Sequence, residues 1–182
     1  MALLCDKQIM CESRIDSSSF SNSIAEVKGG AIYYDLYRPV FDNNSFFNNS
    51  AQYGHNIASY PIEIRLKGSD TNQITLENVV SGQIYTPALE FELIDHDRQI
   101  ILTDNTSTIR VKSIDQNTSV EGTLTVVTNK GVSAFNELIM SAKPGSRSVH
   151  FEVTSTAIDN DKVDLQYGGT VRQHMVDASF RY

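Results

Sequence analysis

Three observations predict an all-β chain in two parts. The N-terminal third repeats itself at a spacing of 26 residues, the chain after Pro61 alternates apolar and polar residues with period two, and turn-forming pairs separate those runs with no helical pattern between them. A chain of 182 residues admits one large domain or two small ones, and the change of texture divides it into 1–66 and 67–182. Its composition, 40% hydrophobic and 20% charged with no Trp, is that of a β-rich globular protein.

The repeat is read first. "IDSSSFSNSIA" (15–25) and "FDNNSFFNNSA" (41–51) match Asp16, Ser19, Phe20, Asn22 and Ala25 to Asp42, Ser45, Phe46, Asn48 and Ala51. Short strand-like stretches with Asn, Ser or Gly at the corners and a period near 26 are the pattern of one rung of a parallel β-helix. Rungs stacked about 4.8 Å apart would lay Phe20 on Phe46 in the interior. Asn22 would lie on Asn48 in a side-chain amide ladder, too buried for modification at Asn48. The phenylalanines are then core, and the asparagines are turn and ladder. Carried forward in register, Gly29-Gly30-Ala31 stands opposite His55-Asn56-Ile57. About two rungs cannot cap themselves, so the N-terminal rung edge is expected to be covered in the native protein by preceding rungs.

The second part reads as short half-buried strands at 62–67, 73–80, 89–94, 108–114, 122–127, 134–140, 148–155 and 176–182. Ser81-Gly82, Asp104-Asn105, Asn129-Lys130-Gly131, Pro144-Gly145, Asp159-Asn160 and Gly168-Gly169 supply the turns. Seven or eight such strands suggest a two-sheet sandwich of immunoglobulin type. The expected core is Leu89, Phe91, Leu93, Ile109, Val111, Leu124, Val126, Phe135, Leu138, Phe151, Val153 and Phe180. Without a Cys pair or a Trp in it, this is not an antibody-type domain.

Charge and composition exclude some partners. A net charge of −7 and no Lys/Arg cluster argue against nucleic acid. No stretch approaches the roughly 18 to 20 apolar residues of a spanning helix. "MALLCDKQIM" has no cationic n-region, so it is not a signal peptide as it stands, and the chain is either intracellular or a piece of something longer. Cys5 and Cys11 permit a local disulfide or free thiols, but are neither a zinc set nor a redox CxxC.

Candidate chemistry is sparse. Asp16 and Asp42, stacked on successive rungs, would hold carboxylates near the ~5 Å separation of a retaining glycosidase. Asp before Ser or Asn is equally a turn residue, and no Lys, Arg or His occupies a matching rung position. No catalytic residue and no cofactor is assigned. Asp95, Asp97, Asp104, Asp159 and Asp161 fall in inter-strand loops, where they could supply oxygens to Ca²⁺ or serve as solvated turn residues. The four histidines are dispersed, with no HxH or HExxH pair. Asn43, Asn48, Asn105 and Asn117 begin N-x-S/T sequons, of which Asn43, Asn105 and Asn117 are the glycosylation candidates.

Gly29-Gly30-Ala31-Ile32 and Phe46-Phe47-Asn48-Asn49-Ser50-Ala51 resemble the GGAI and FxxN marks of polymorphic outer-membrane-type β-helix repeats. "GQIYTPALEFELIDHDRQII", "NKGVSAFNELIMSAKPG" and "VHFEVTS" look like the immunoglobulin-like modules of invasin-type and filamin-type proteins. The pair in this order is similar to giant surface proteins of ciliates, where cysteine-rich repeats often follow. The resemblance implies a cell-surface location and a non-enzymatic structural or adhesive role. Its implied partners are other modules of the same protein or copies of the chain, and a glycan or protein ligand of an adhesin is the alternative. It further implies that the chain stops just before the next module.

Overall fold

The computed structural model of the protein describes residues 2–3, 12–69, 74–146, 149–167 and 174–181. Cys5, Cys11 and the Gly168-Gly169 turn lie outside them. Among the described residues the chain is all-β but for one short helix, and it divides into two compact units. The first comprises Met1–Ile62, Ile94–Thr103 and Ile158–Val171; the second comprises Glu63–Leu93, Asp104–Ala157 and Arg172–Tyr182. Where the sequence suggests one cut at 66/67, the first unit ends four residues earlier and takes in two segments from the second half.

In the first unit, β1 (Ala2–Leu3), β4 (Ile32–Tyr34) and β7 (Ile57–Ala58) form one parallel ladder. A second joins β2 (Arg14–Asp16) to β5 (Val40–Asp42), and a third joins β3 (Ser19–Ser21) to β6 (Ser45–Phe47). Arg14 pairs with Val40 and Phe20 with Phe46, so the strands meet at the 26-residue offset of the repeat. The Phe20 and Phe46 rings stack with centroids 5.3 Å apart and planes 12° off parallel. They pack with Phe41 and Ile57 against buried Ile15, Ala31 and Ile32.

The offset then changes. Ile24 still bridges Ser50, but Lys28 bridges Tyr53 and Ile32 pairs with Ile57, an offset of 25. One residue fewer stands between Ser50 and Tyr53 than between Ile24 and Lys28, so Gly54, not His55, is the counterpart of Gly29. Both glycines have a left-handed backbone, φ +65° and +62°. The expected facing of Gly29-Gly30-Ala31 with His55-Asn56-Ile57 is therefore one residue out of register.

The second unit holds β8 (Pro61–Leu66, from Glu63 on), β9 (Ile74–Val80), most of β10 (Leu89–Asp95), β11 (Thr108–Ser113), β12 (Thr118–Gly122), β13 (Thr125–Val127), β14 (Val132–Phe135), β15 (Leu138–Ala142), β16 (Val149–Ser155) and β17 (His174–Arg181). They pair in the orders β13-β11-β16-β17-β9, β14-β10-β8 and β12-β15, and β9 runs parallel to β17. Period-two patterning acts as the sequence predicts: Val149, Phe151 and Val153 of β16 are buried, while His150, Glu152 and Thr154 are not. Nine of the twelve expected core residues are buried, Phe91 and Phe135 in edge-to-face contact at 5.7 Å. Leu124, Val126 and Phe180 are half-buried.

Three elements differ from the sequence expectation. The run 134–140 breaks at Asn136-Glu137 into the end of β14 and β15, and 122–127 breaks at Thr123-Leu124 between β12 and β13. Asp159-Asn160 is a helix start rather than a turn between strands. The Asp159 carboxylate accepts the Lys162 amide at 3.2 Å and its carbonyl accepts the Val163 amide, which makes Asp159 the N-cap of α1 (Asn160–Tyr167). Asp is a favoured residue in both settings, so the local sequence does not separate them.

Candidate functional site

The two stacked repeats, or rungs, of the first unit turn their corners through left-handed residues at equivalent places. Ser17 and Asn43 have φ of 46° and 50°, and Asn22 and Asn48 have φ of 51°. Asn and Ser tolerate this conformation better than β-branched residues do. The amide ladder exists: Asn48 Nδ2 donates to Asn22 Oδ1 at 2.8 Å. Both residues are exposed, however, so the expectation that the ladder buries Asn48 is overturned.

The half-buried links between the repeats come from the second Asn of each pair. Asn44 Oδ1 accepts the Ser18 amide at 2.9 Å, and its Nδ2 donates to the Ile15 carbonyl at 2.7 Å. Asn49 does the same with the Ser23 amide at 3.0 Å and the Phe20 carbonyl at 3.1 Å. Each amide group thus satisfies corner backbone that the ladders leave unpaired. The doubled "NN" at 43–44 and 48–49 is the signal that could have found them. Asn44→Ala should lower the midpoint of urea unfolding by the equivalent of about 2 kcal/mol, whereas Asn43→Ala, which gives up one 3.4 Å contact to Ser17 and the tolerance of Asn for a left-handed corner, should cost about 1 kcal/mol.

Of the acidic residues proposed for chemistry, Asp16, Asp42 and Asp161 are exposed, while Asp95 and Asp97 are engaged within the fold. Asp16 and Asp42 are directly paired. Arg14, whose register partner is Val40, reaches across to them: its Nη2 lies 2.5 Å from Asp42 and 3.6 Å from Asp16. Asp95 is 1% exposed and takes hydrogen bonds from the Tyr53 hydroxyl, the Gln99 amide at 2.8 Å and Gln99 Nε2 at 3.1 Å. Asp97 takes the Tyr34 hydroxyl at 2.5 Å and two Arg38 donors at 2.9 and 2.8 Å. Gln99 Nε2 also reaches the Ile57 carbonyl at 3.0 Å, and the His96 amide reaches Ser59 Oγ at 3.3 Å. The turn 95–99 is thereby pinned onto both rungs of its own unit, since Tyr34 belongs to β4 and Tyr53 to the next rung.

Electrostatics follow burial. Desolvation raises the Asp95 carboxyl, and the bonds from Tyr53 and Gln99 offset this only in part. Burial likewise raises both tyrosines and lowers His96. In the second unit, burial pushes Asp104 up, but bonds from Ser107 and Thr128 outweigh it and hold the carboxyl below its usual range. Asp159 caps α1 and pairs with Lys162 at 2.8 Å, and Asp161 is exposed in its first turn. Among the described residues no group of three or more His, Cys, Asp and Glu is placed to hold a metal ion.

The sequons lie at the surface. Asn43, Asn105 and Asn117 are exposed. Asn105 Oδ1 accepts the Lys130 amide at 2.9 Å, and the Asn117 carbonyl accepts the Lys143 amide at 2.9 Å. Among the described residues no helix is long and apolar enough to cross a membrane.

No family model matches the chain, and no curated protein matches it. Among solved structures, one that is similar is WR4 of C. elegans, an MSP family member, at 14% identity and a TM-score of 0.36, covering 66% of this chain and 99% of that one. A likeness that distant carries no conclusion about fold or function.

Proposed function

We propose that the chain is a non-enzymatic structural and adhesive module of a larger cell-surface protein. In this reading the first unit is a partial parallel β-helix, the second is an immunoglobulin-like β-sandwich, and together they serve as a stalk or assembly unit. The observation that carries it is the register of the first unit. Two chain segments stack residue on residue at one offset, phenylalanine on phenylalanine inside and asparagine on asparagine at a corner. Such stacking is the mechanical principle of a solenoid, where each rung stabilises its neighbours. Asp95, Asp97 and Asp104 accept hydrogen bonds from their own fold, which favours a structural role for them.

The test is an antibody against residues 68–156, used to blot native cells before and after external protease. A band far above 20.3 kDa that disappears with protease is the expected result. A protease-resistant band near 20.3 kDa would overturn the reading.

A further inference from the structure

Among the described residues β7 ends its ladder, in the order β1-β4-β7, yet its outer side is not bare. The Asn56 carbonyl accepts the Ala31 and Ile32 amides of the first rung at 3.0 and 2.9 Å, so it faces β4. Successive carbonyls of an extended strand point to opposite sides. The Ile57 carbonyl is thereby turned outward, to where the donor of a further strand would lie. Gln99 Nε2 meets it there at 3.0 Å. Two residues on, Ser59 Oγ accepts the His96 amide at 3.3 Å, so the two contacts bracket Ala58.

A carboxamide is also what the repeat itself uses. At the corners, the Ile15 and Phe20 carbonyls of the first rung are met by Nδ2 of Asn44 and Asn49, one rung on. At β7 the carboxamide comes from outside the repeat, on a turn closed by its own bonds. Ile94 bridges Ile100, the Asp95 amide donates to the Gln99 carbonyl at 3.0 Å, and Arg98 supplies a left-handed residue of φ 62°. Buried Asp95 accepts Gln99 Nε2 at 3.1 Å and so aims that group at Ile57. The Tyr53 hydroxyl on Asp95, and the Tyr34 hydroxyl and Arg38 on Asp97, anchor the turn to the rungs.

We propose that the 95–99 turn is an edge guard: it caps β7 with donors from outside the repeat and so keeps a strand of a second copy of this chain from adding to that end of the ladder. The proposal rests on the β-helix reading above. An uncovered strand edge is a template for another chain, and covering it with a loop is one way proteins suppress such pairing. β7 is two residues long, short enough for a single turn to span.

The test is sedimentation velocity on the whole chain over a wide concentration range, comparing the wild type with Gln99→Met and Asp95→Ala. Met keeps the bulk of Gln without its donor and frees the Ile57 carbonyl, whereas Asp95→Ala removes the acceptor that holds both Gln99 and Tyr53. Each variant should associate at concentrations at least about tenfold below the wild type, the size of shift that one hydrogen bond made to another chain would give. Asn44→Ala is the control, since it loosens the same unit at a corner away from β7 and should leave association at the wild-type level. Equal association of Asn44→Ala would overturn the proposal, because general loosening would then explain the effect. Wild-type behaviour of Gln99→Met would also overturn it, and this variant decides alone if Asp95→Ala fails to fold. The ladder itself is checked separately by a Ser19→Cys/Ser45→Cys pair in a Cys5→Ser/Cys11→Ser background. These residues are directly paired with Oγ atoms 3.0 Å apart, in reach of a disulfide. Failure of that bond to form sinks the β-helix reading and the guard with it; a bond that forms while Gln99→Met behaves as wild type sinks the guard alone.

Discussion

Asp95→Ala should cost the first unit about 3 kcal/mol, because it leaves the buried Tyr53 hydroxyl and the Gln99 donors without their acceptor. Amide exchange at Ile57 and Ser59, which the turn 95–99 also holds through Gln99 and His96, should rise with it. The isosteric Asp95→Asn isolates the charge. Burial raises the folded carboxyl above its ordinary 3.8, so the folded unit holds that proton more tightly than the unfolded chain does. Asp95 therefore contributes stability that is complete below 3.8 and is lost as pH rises through the elevated folded value. Asp95 should contribute a fall in stability over that window, and that part of the wild-type slope should vanish in Asp95→Asn. Equal pH slopes in the two proteins would show that this carboxyl carries no such burden.

None of this lock is visible in the sequence. Asp95-His96-Asp97 reads there as an acidic loop, since its partners Tyr34, Arg38 and Tyr53 are 42 to 63 residues away and share no pattern with it. What the sequence makes legible is whatever repeats. Phe20 and Phe46 announce their stacking because identical residues at a fixed offset are the signature of translation, and the strands after Pro61 show because period two follows directly from the pleat. The register of the second turn is lost because a single missing residue before Tyr53 is hidden by the low complexity around it. Asn48 and Asn49 are indistinguishable as letters. One sits on a left-handed corner and stays in solvent, while its neighbour reaches back between the rungs, and only backbone geometry assigns those places. Arg14 is missed for a similar reason: its guanidinium crosses from one rung to the carboxylate of the next.

The rung spacing itself can be tested at Gly30. Its amide donates to the Gly54 carbonyl at 3.1 Å, and a Cβ placed on it would lie 2.0 Å from the His55 carbonyl oxygen and 2.8 Å from that of Ser50. Both obstacles are backbone of the facing rung, so no side-chain rotation relieves them. Gly30→Ala should therefore force the rungs apart and cost at least about 3 kcal/mol, the upper end of what overpacking exacts. Gly68→Ala is the control: its Cβ would meet nothing within 4 Å, and only its φ of +81° opposes the change, for roughly 1 to 2 kcal/mol. Denaturant unfolding gives the two costs, and amide exchange at Ile32 and Ile57, the next paired residues along the chain, locates the first. If Gly30→Ala proves as mild as Gly68→Ala, the two rungs do not approach as closely as the ladder requires, and the stacked phenylalanines would lose their geometric basis too. A large loss focused on Ile32 and Ile57 would instead tie stability to the contact that lets one rung template the next.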